Sequence, residues 1–112
     1  MVLSVSPPDT GVPLVSRDGD RTVVWLDGEH DIATVPVLID TLTDAISAHD
    51  ADLIVDLSGV TFMGVATIGA LIGARNLLRR QSRTLTVRSP SRCVTRILTM
   101  CGHADLMEMV LA

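Results

Sequence analysis

Two acidic residues, Asp31 and Asp56, stand where short apolar runs end, and acids at strand ends can hold magnesium or accept a phosphoryl group. They keep open, as a distant alternative, a small phosphotransfer or hydrolytic enzyme that uses Asp31 and Asp56. A phospho-aspartate site of the receiver type would also need a further acid pair and a lysine, and the chain has no lysine. We favour a structural role, in which Asp56 and Ser58 make local hydrogen bonds to the backbone.

Histidine and cysteine show no pattern of a catalytic or metal site. His30, His49 and His103 form no triad motif with a serine, and His30 lacks partners at metal-ligand spacing. Cys93 and Cys101 lie eight residues apart, and on one helix a rise of about 12 Å would keep them from forming a disulfide. We therefore expect reduced thiols that pack, with no catalytic residue, no metal and no cofactor.

The segment from Ile54 to Arg75, IVDLSGVTFMGVATIGALIGAR, predicts a buried strand that passes through a tight connection into a helix starting at Val65 or Ala66. The N-terminus of that helix has free N–H groups and suits negative charge. Gly69 and Gly73 are expected to allow close packing of the helix on the sheet.

Composition narrows the class of protein. The 112 residues suit one domain of 14–112 behind a loose, Pro-rich leader of 1–13, and the net charge of −4 argues against nucleic-acid binding. The longest apolar run has 13 residues, from Phe62 to Ala74, and is too short to insert into a membrane. The N-terminus does not resemble a signal peptide, so a cytoplasmic location is expected.

Charge is unevenly distributed along the chain. Residues 61–112 hold seven of the nine arginines, whereas residues 1–60 hold eleven of the thirteen acids. Genomic composition explains the arginine usage most simply, and a basic flank for an acidic partner is the alternative. The four-residue steps Arg75, Arg79, Arg83 and Arg88, Arg92, Arg96 favour solvated helix faces.

The spacing of apolar residues and the turn and capping residues predict the remaining strands and helices. Strands are predicted at 14–17 and 22–26, joined by a hairpin at Asp18-Gly19-Asp20, and at 53–57 and 84–87. The strand at 22–26 is apolar enough to be covered on both faces. The first helix is predicted to follow Thr34 as its N-cap, and the second to extend over 66–81. In the third helix Ser89 is the predicted N-cap, Pro90 the first residue and Gly102 the residue that ends it. The expected core stripes are Val35, Leu38, Ile39, Leu42, Ala45 and Ile46 on the first helix and Val94, Ile97, Leu98 and Cys101 on the third.

The order β-β-α-β-α-β-α, with a short final element at 106–111, predicts an α/β domain with a mixed, mostly parallel sheet of four to five strands and three to four helices. In such sheets binding sites lie beyond the C-terminal strand ends, here 28–31, 58–64 and 88–89.

Three pieces in this order and spacing resemble a STAS domain of the bacterial anti-sigma factor antagonist family. They are LDGEHDIATVPVL (26–38), IVDLSGVTFMGVATIGAL (54–71) and RSPSRCVTRILTMCGHADLM (88–107). The resemblance implies a non-catalytic module that binds an anti-sigma factor, often a GHKL-type serine kinase, and so frees a sigma factor. The interaction alternatives are a STAS subunit of another ATPase complex, such as a lipid transporter, and a degenerate decoy.

The family's phosphoacceptor is replaced in this chain. Where relatives have Asp and then Ser at the start of the second helix, this sequence has Gly64, Val65 and Ala66, so phosphorylation there is excluded. Thr67 is a substitute acceptor or simply a hydrogen-bonding residue of the first turn. The resemblance assigns the following residues to the partner surface, with Glu29 and His30 as exposed loop positions and Val65 at the degenerate acceptor position: Glu29, His30, Asp31, Ser58, Phe62, Met63, Gly64, Val65, Ala66 and Thr67.

Overall fold

A computed structural model describes residues 13–107. The predicted leader, apart from Pro13, and the end of the predicted final element lie outside the described residues. The elements are β1 (Leu14–Asp18), β2 (Arg21–His30), a 3-10 turn (Ile32–Thr34), α1 (Val35–Ala48), β3 (Leu53–Met63), α2 (Val65–Arg79), β4 (Leu85–Arg88), α3 (Arg92–Met100) and a second 3-10 turn (Ala104–Leu106).

The four strands form one sheet in the order β1-β2-β3-β4. β1 pairs antiparallel with β2 through the predicted hairpin, whose Gly19 has a φ of 65°, and the β2–β3 and β3–β4 pairs are parallel. The predicted fold class and element order are therefore confirmed. The final element begins as the second 3-10 turn and adds a single parallel bridge from Met107 to Val87.

The core lies on one face of the sheet. Alternate strand residues such as Val24, Val55 and Val87 join one apolar cluster with the buried residues of the three helices. On α1 the stripe buries Leu38, Leu42, Ala45 and Ile46, but Ile39 is 46% exposed. Helix α1 therefore has one apolar edge that the core does not cover.

The opposite face of β2 is only partly covered, which corrects the expectation of cover on both faces. Val23 is buried there, but Trp25 is 38% exposed. The Trp25 indole donates to the Ser16 hydroxyl at 2.9 Å, and the Arg88 guanidinium lies 5.2 Å from the ring centroid.

Both central strands are longer than their composition suggests. β2 continues to His30 and β3 to Met63, with register irregularities between Trp25 and Asp27 and between Gly28 and Glu29. Local sequence indicated turns here because the segments are rich in Gly, Asp and Ser. The two segments instead satisfy their backbone groups by pairing with each other, which sequence patterning does not reveal.

The third helix starts later than predicted. Its cap is Ser91, whose hydroxyl accepts from the Val94 N–H at 3.2 Å, whereas Ser89 has a φ of 55° and lies outside the helix. Val94 and Leu98 are buried as expected, but Cys101, like Cys93, is an exposed free thiol. The packing role predicted for both thiols is therefore wrong.

The expected packing of the α2 glycines is wrong, and the expected solvated arginine faces are only partly observed. Gly69 and Gly73 are exposed and do not pack against the sheet. Arg83 is 8% exposed, and the side chain of Arg75 is 11% exposed and donates to Asp105 at 2.9 Å. Arg75 and Arg83 therefore tie elements together, whereas Arg79, Arg92 and Arg96 are exposed as expected.

Candidate functional site

The C-terminal ends of β2 and β3 meet at one junction. His30 is in register with Met63, and the Gly64 N–H donates to the His30 carbonyl at 2.9 Å. The Thr67 hydroxyl donates to the same carbonyl at 3.3 Å. One carbonyl group thus fixes the end of β2 against the first turn of α2. The third predicted strand end does not belong to this site, because β4 stops where Arg88 is in register with Asp56.

His30 is a buried structural residue, so the expectation that it is exposed is wrong. Its side chain and backbone are 1% exposed, its Nε2 lies 3.0 Å from the Asp27 carbonyl, and its Nδ1 lies 3.1 Å from the Thr34 hydroxyl. The imidazole therefore holds the loop before α1 in place and does not face a partner.

Asp31 organises the turn beside the junction. Its carboxylate accepts from the Ala33 N–H at 2.9 Å, while its carbonyl accepts from the N–H and hydroxyl of Thr34, each at 3.1 Å. Thr34 occupies the predicted N-cap position of α1 but makes no side-chain cap. A Cβ built on Gly64 would lie 3.9 Å from the Asp31 Cα. Asp31 therefore flanks the start of α2.

Apolar side chains cover the exposed side of this junction. Val65 is 73% exposed, Ile32 77% and Phe62 45%, and the acidic residues Glu29 and Asp31 are exposed beside them. We call Glu29, Asp31, Ile32, Phe62 and Val65 the junction patch. Sequence patterning missed Ile32, whose only signal is an apolar residue directly after Asp31 in a short connection.

The other predicted site residues divide between support and surface. Ala66 is exposed and Gly64 half-buried at the start of α2, whereas Met63 and Thr67 are fully buried and support the junction from below. Ser58 is exposed but stands five residues before Met63, roughly 16 Å away along the strand. The structure does not bring Ser58 to the junction patch.

Asp56 belongs to a separate polar cluster on the sheet. Its carboxylate accepts from the N–H and hydroxyl of Ser58, at 2.9 and 2.6 Å, and from Arg88 Nε at 2.8 Å. Burial opposes ionisation, but these hydrogen bonds and the Arg88 charge more than offset it and lower the pKa of Asp56. Local bonding of Asp56 to Ser58 is thus as predicted, with Arg88 as a partner that the sequence did not indicate.

The register keeps Asp31 and Asp56 apart. Asp56 is opposite Trp25, and Asp31 follows His30, which is opposite Met63. Along β2 these two levels, at Trp25 and His30, are five residues apart, about 16 Å at about 3.3 Å per residue, which separates the two carboxylates. They do not form the paired acid site that the enzyme alternative requires. In residues 13–107, no three His, Cys, Asp or Glu side chains are grouped so as to hold a metal ion.

The protein is a one-sided α/β sandwich with an exposed apolar and acidic patch at a strand-to-helix junction. A family model described as "Mlab, STAS domain" matches residues 14–110. The chain belongs to the STAS-domain family. No helix between residues 13 and 107 is both long and apolar enough to cross a membrane.

Known relatives agree with this assignment. The chain is 31% identical over 97 residues to the anti-sigma-F factor antagonist RsfA of Mycobacterium tuberculosis, covering 85% of this chain and 76% of RsfA. An anti-sigma factor antagonist from Mycobacterium paratuberculosis superposes with a TM-score of 0.80 at 23% identity, covering 96% of this chain and 92% of that one. Unphosphorylated SpoIIAA, an anti-sigma factor antagonist, superposes with a TM-score of 0.77 at 19% identity, covering 89% of each chain. SpoIIAA of Bacillus has also been solved in a phosphorylated form. At these identities the two structures support the fold alone.

Proposed function

We propose that this protein is an anti-sigma factor antagonist that binds its target through the junction patch. The observation that carries the proposal is the set of exposed apolar side chains, Ile32, Phe62 and Val65, beside the acids Glu29 and Asp31. An apolar patch with a charged rim is typical of a protein interface. Family membership and the similarity to RsfA support an anti-sigma factor as the partner.

The mechanism follows from mass action. Each anti-sigma factor held on the junction patch is unavailable to its sigma factor, so the concentration of free sigma factor rises. The protein needs no chemistry for this role, and the separation of Asp31 from Asp56 supports binding without catalysis. A cytoplasmic location, where a sigma factor would act, is part of the proposal.

We further propose that phosphorylation at the start of α2 does not regulate this protein. Val65 has no hydroxyl, and the only hydroxyl of the first turn, on Thr67, is fully buried and donates to the His30 carbonyl. A phosphoryl group would bring about −1.5 to −2 charge beside Asp31 and oppose a partner by repulsion and desolvation. If the partner is a GHKL-type serine kinase, its ATP does not switch this antagonist off.

The test measures binding to purified anti-sigma factors with and without ATP. The panel contains the anti-sigma factors of the source organism and the anti-sigma-F factor of Mycobacterium tuberculosis. We expect an affinity for one of them that ATP and magnesium leave unchanged, and intact-mass spectrometry showing no added phosphoryl group. Modification of Thr67 with loss of affinity would overturn phosphate-independent binding.

A restored acceptor provides the matched variant. Gly64 has a φ of −84°, and a Cβ there meets ordinary contacts of 3.7 to 3.9 Å, so Gly64→Asp with Val65→Ser fits the backbone. We expect this variant to lose affinity at least about tenfold in ATP with a kinase partner, a change of about 1.4 kcal/mol. Capture of a transporter ATPase, and of no anti-sigma factor, would favour the transporter alternative instead.

A further inference from the structure

An apolar groove lies between α1 and α2, apart from the junction patch. Its volume is about 290 Å³, and it is lined by Ile39, Thr43 and Ile46 on α1 and by Gly69, Gly73 and Leu77 on α2. Ile39 and Leu77 remain 46% and 39% exposed. Leu42 and Ala74 at its base are buried in the core, so the groove is an uncovered surface of the helical layer.

The two glycines of the groove have no role in the packing of the described residues. A Cβ built on Gly69 or on Gly73 would meet no atom within 4 Å. Glycine inside a helix costs about 1 kcal/mol relative to alanine, so the two positions weaken α2 without an internal contact in return. Because glycine has no side chain, the backbone of another chain can approach α2 closely at these two positions.

The groove is continuous with the junction patch. Ala66, Ala70, Gly73 and Leu77 follow each other at steps of four, three and four residues and so lie along one side of α2, and the exposed Ala66 adjoins Val65 of the junction patch. The stripe extends over twelve residues, about 18 Å of helix. Its length corresponds to roughly three turns of a second helix.

The charged residues near the groove indicate what kind of ligand would bind in it. Between Arg21 and Arg75 the chain has no Lys or Arg, while it has eight acids: Asp27, Glu29, Asp31, Asp40, Asp44, Asp50, Asp52 and Asp56. Asp40 is exposed on α1 next to Ile39 of the groove, whereas Asp44 lies on the other side of α1 with Thr41 and Ala48. A complementary ligand is therefore apolar along its centre and basic along the edge that faces α1.

We propose that the groove between α1 and α2 extends the docking surface and receives an amphipathic helix of the anti-sigma factor. Small or apolar residues of that helix lie over Gly69 and Gly73, and its Lys or Arg side chains lie beside Asp40. This inference rests on the proposed function, because it assigns a second region of contact to the same partner.

Leucine substitutions at the two glycines, which would fill the groove, test the proposal. A Cβ at Gly69 or Gly73 has open space around it and leucine raises helix propensity, so we expect Gly69→Leu and Gly73→Leu to have an unchanged or higher melting temperature. We expect the Kd for the bound anti-sigma factor to rise at least about tenfold, as measured by calorimetric titration. The control is Thr99→Leu, which adds a leucine to an exposed position of α3 and should bind like the wild type.

Val65→Asp separates this inference from the proposed function. Loss of binding in Val65→Asp together with wild-type binding of both leucine variants would overturn the groove and leave the junction patch in place. If the wild-type chain bound no anti-sigma factor of its own organism, the proposed function and this inference would both fail. Light scattering that shows a wild-type dimer, made monomeric by Gly73→Leu, would assign the groove to a second copy and also overturn the proposal.

Discussion

At the scale of single residues, inward-facing groups hold the junction together, and their exposed neighbours form the proposed binding surface. The carbonyl of His30 accepts from Gly64 and Thr67, and its ring contacts Asp27 and Thr34. These contacts hold exposed residues such as Val65 in position. A residue can therefore be essential to the site without touching a partner.

Asp56 gives a residue-scale prediction about pH. The pKa of its carboxyl is lowered below the ordinary value of about 3.8, since hydrogen bonds from Ser58 and Arg88 outweigh the effect of burial. A lowered folded-state pKa stabilises the protein fully above about pH 3.8, and this stability is lost as the pH falls through the folded value. We expect Asp56→Asn to lower the free energy of unfolding by about 1–3 kcal/mol at pH 6 and by much less at pH 3.

Urea unfolding at the two pH values measures this difference. Asp20→Asn, in the exposed turn between β1 and β2, is the control and should change stability little at either pH. A loss in Asp56→Asn that is as large at pH 3 as at pH 6 would contradict the assigned charge interaction.

At the scale of elements, Arg83 joins the end of α1 to the start of β3. Its guanidinium donates to the carbonyls of Ile46, His49 and Ala51, and it is 8% exposed. A cation at the C-terminal end of a helix also suits the helix dipole. Arg83 therefore does not share a solvated helix face with Arg79, because the surrounding carbonyls fix the position of its side chain.

We expect Arg83→Ala to lower the free energy of unfolding by about 3 kcal/mol, because buried carbonyls lose their donors. Arg83→Lys should restore only part of this, since one ammonium cannot span three carbonyls as a planar guanidinium does. Chemical denaturation measures both variants. Arg79→Ala is the matched control, because the Arg79 side chain is 60% exposed and contacts Asp105 only at 3.9 Å. Equal losses in the Arg79 and Arg83 variants would refute the role of Arg83.

At the scale of the whole molecule, Asp27, Glu29 and Asp31 at the end of β2 and Asp40 on α1 lie on the elements that build the proposed docking surface. The acidic connection after β2 and helix α1 border the junction patch and the groove. Such a surface raises the association rate for a basic partner, and salt reduces the effect.

We expect the double variant Asp31→Asn/Asp40→Asn to associate more slowly and with a weaker dependence on salt, because charges at an interface rim act mainly on the association rate. Asparagine also retains the cap at position 31. Stopped-flow kinetics at several salt concentrations provide the measurement. Asp20→Asn/Asp50→Asn makes the same change in net charge near the opposite ends of the strands. Equal slowing by both pairs would show that only net charge matters.

The sequence by itself determined the element order, the parallel crossovers and the position of the junction. Apolar periodicity, the Asp-Gly hairpin and the glycine after α3 are local signals, and each reports on its own few residues. The sequence likewise shows that position 65 has no hydroxyl. These local features carry the resemblance to a STAS domain.

Tertiary structure alone decided which of these residues face outward. Pairing between β2 and β3 extended both strands through segments that look like turns, and that pairing buried His30 while it left Ile32 exposed. The side-by-side placement of α1 and α2 left Gly69 and Gly73 without internal contacts and opened the groove. Exposure depends on neighbours that are distant in the chain, and for that reason local patterns could place the junction but not its surface.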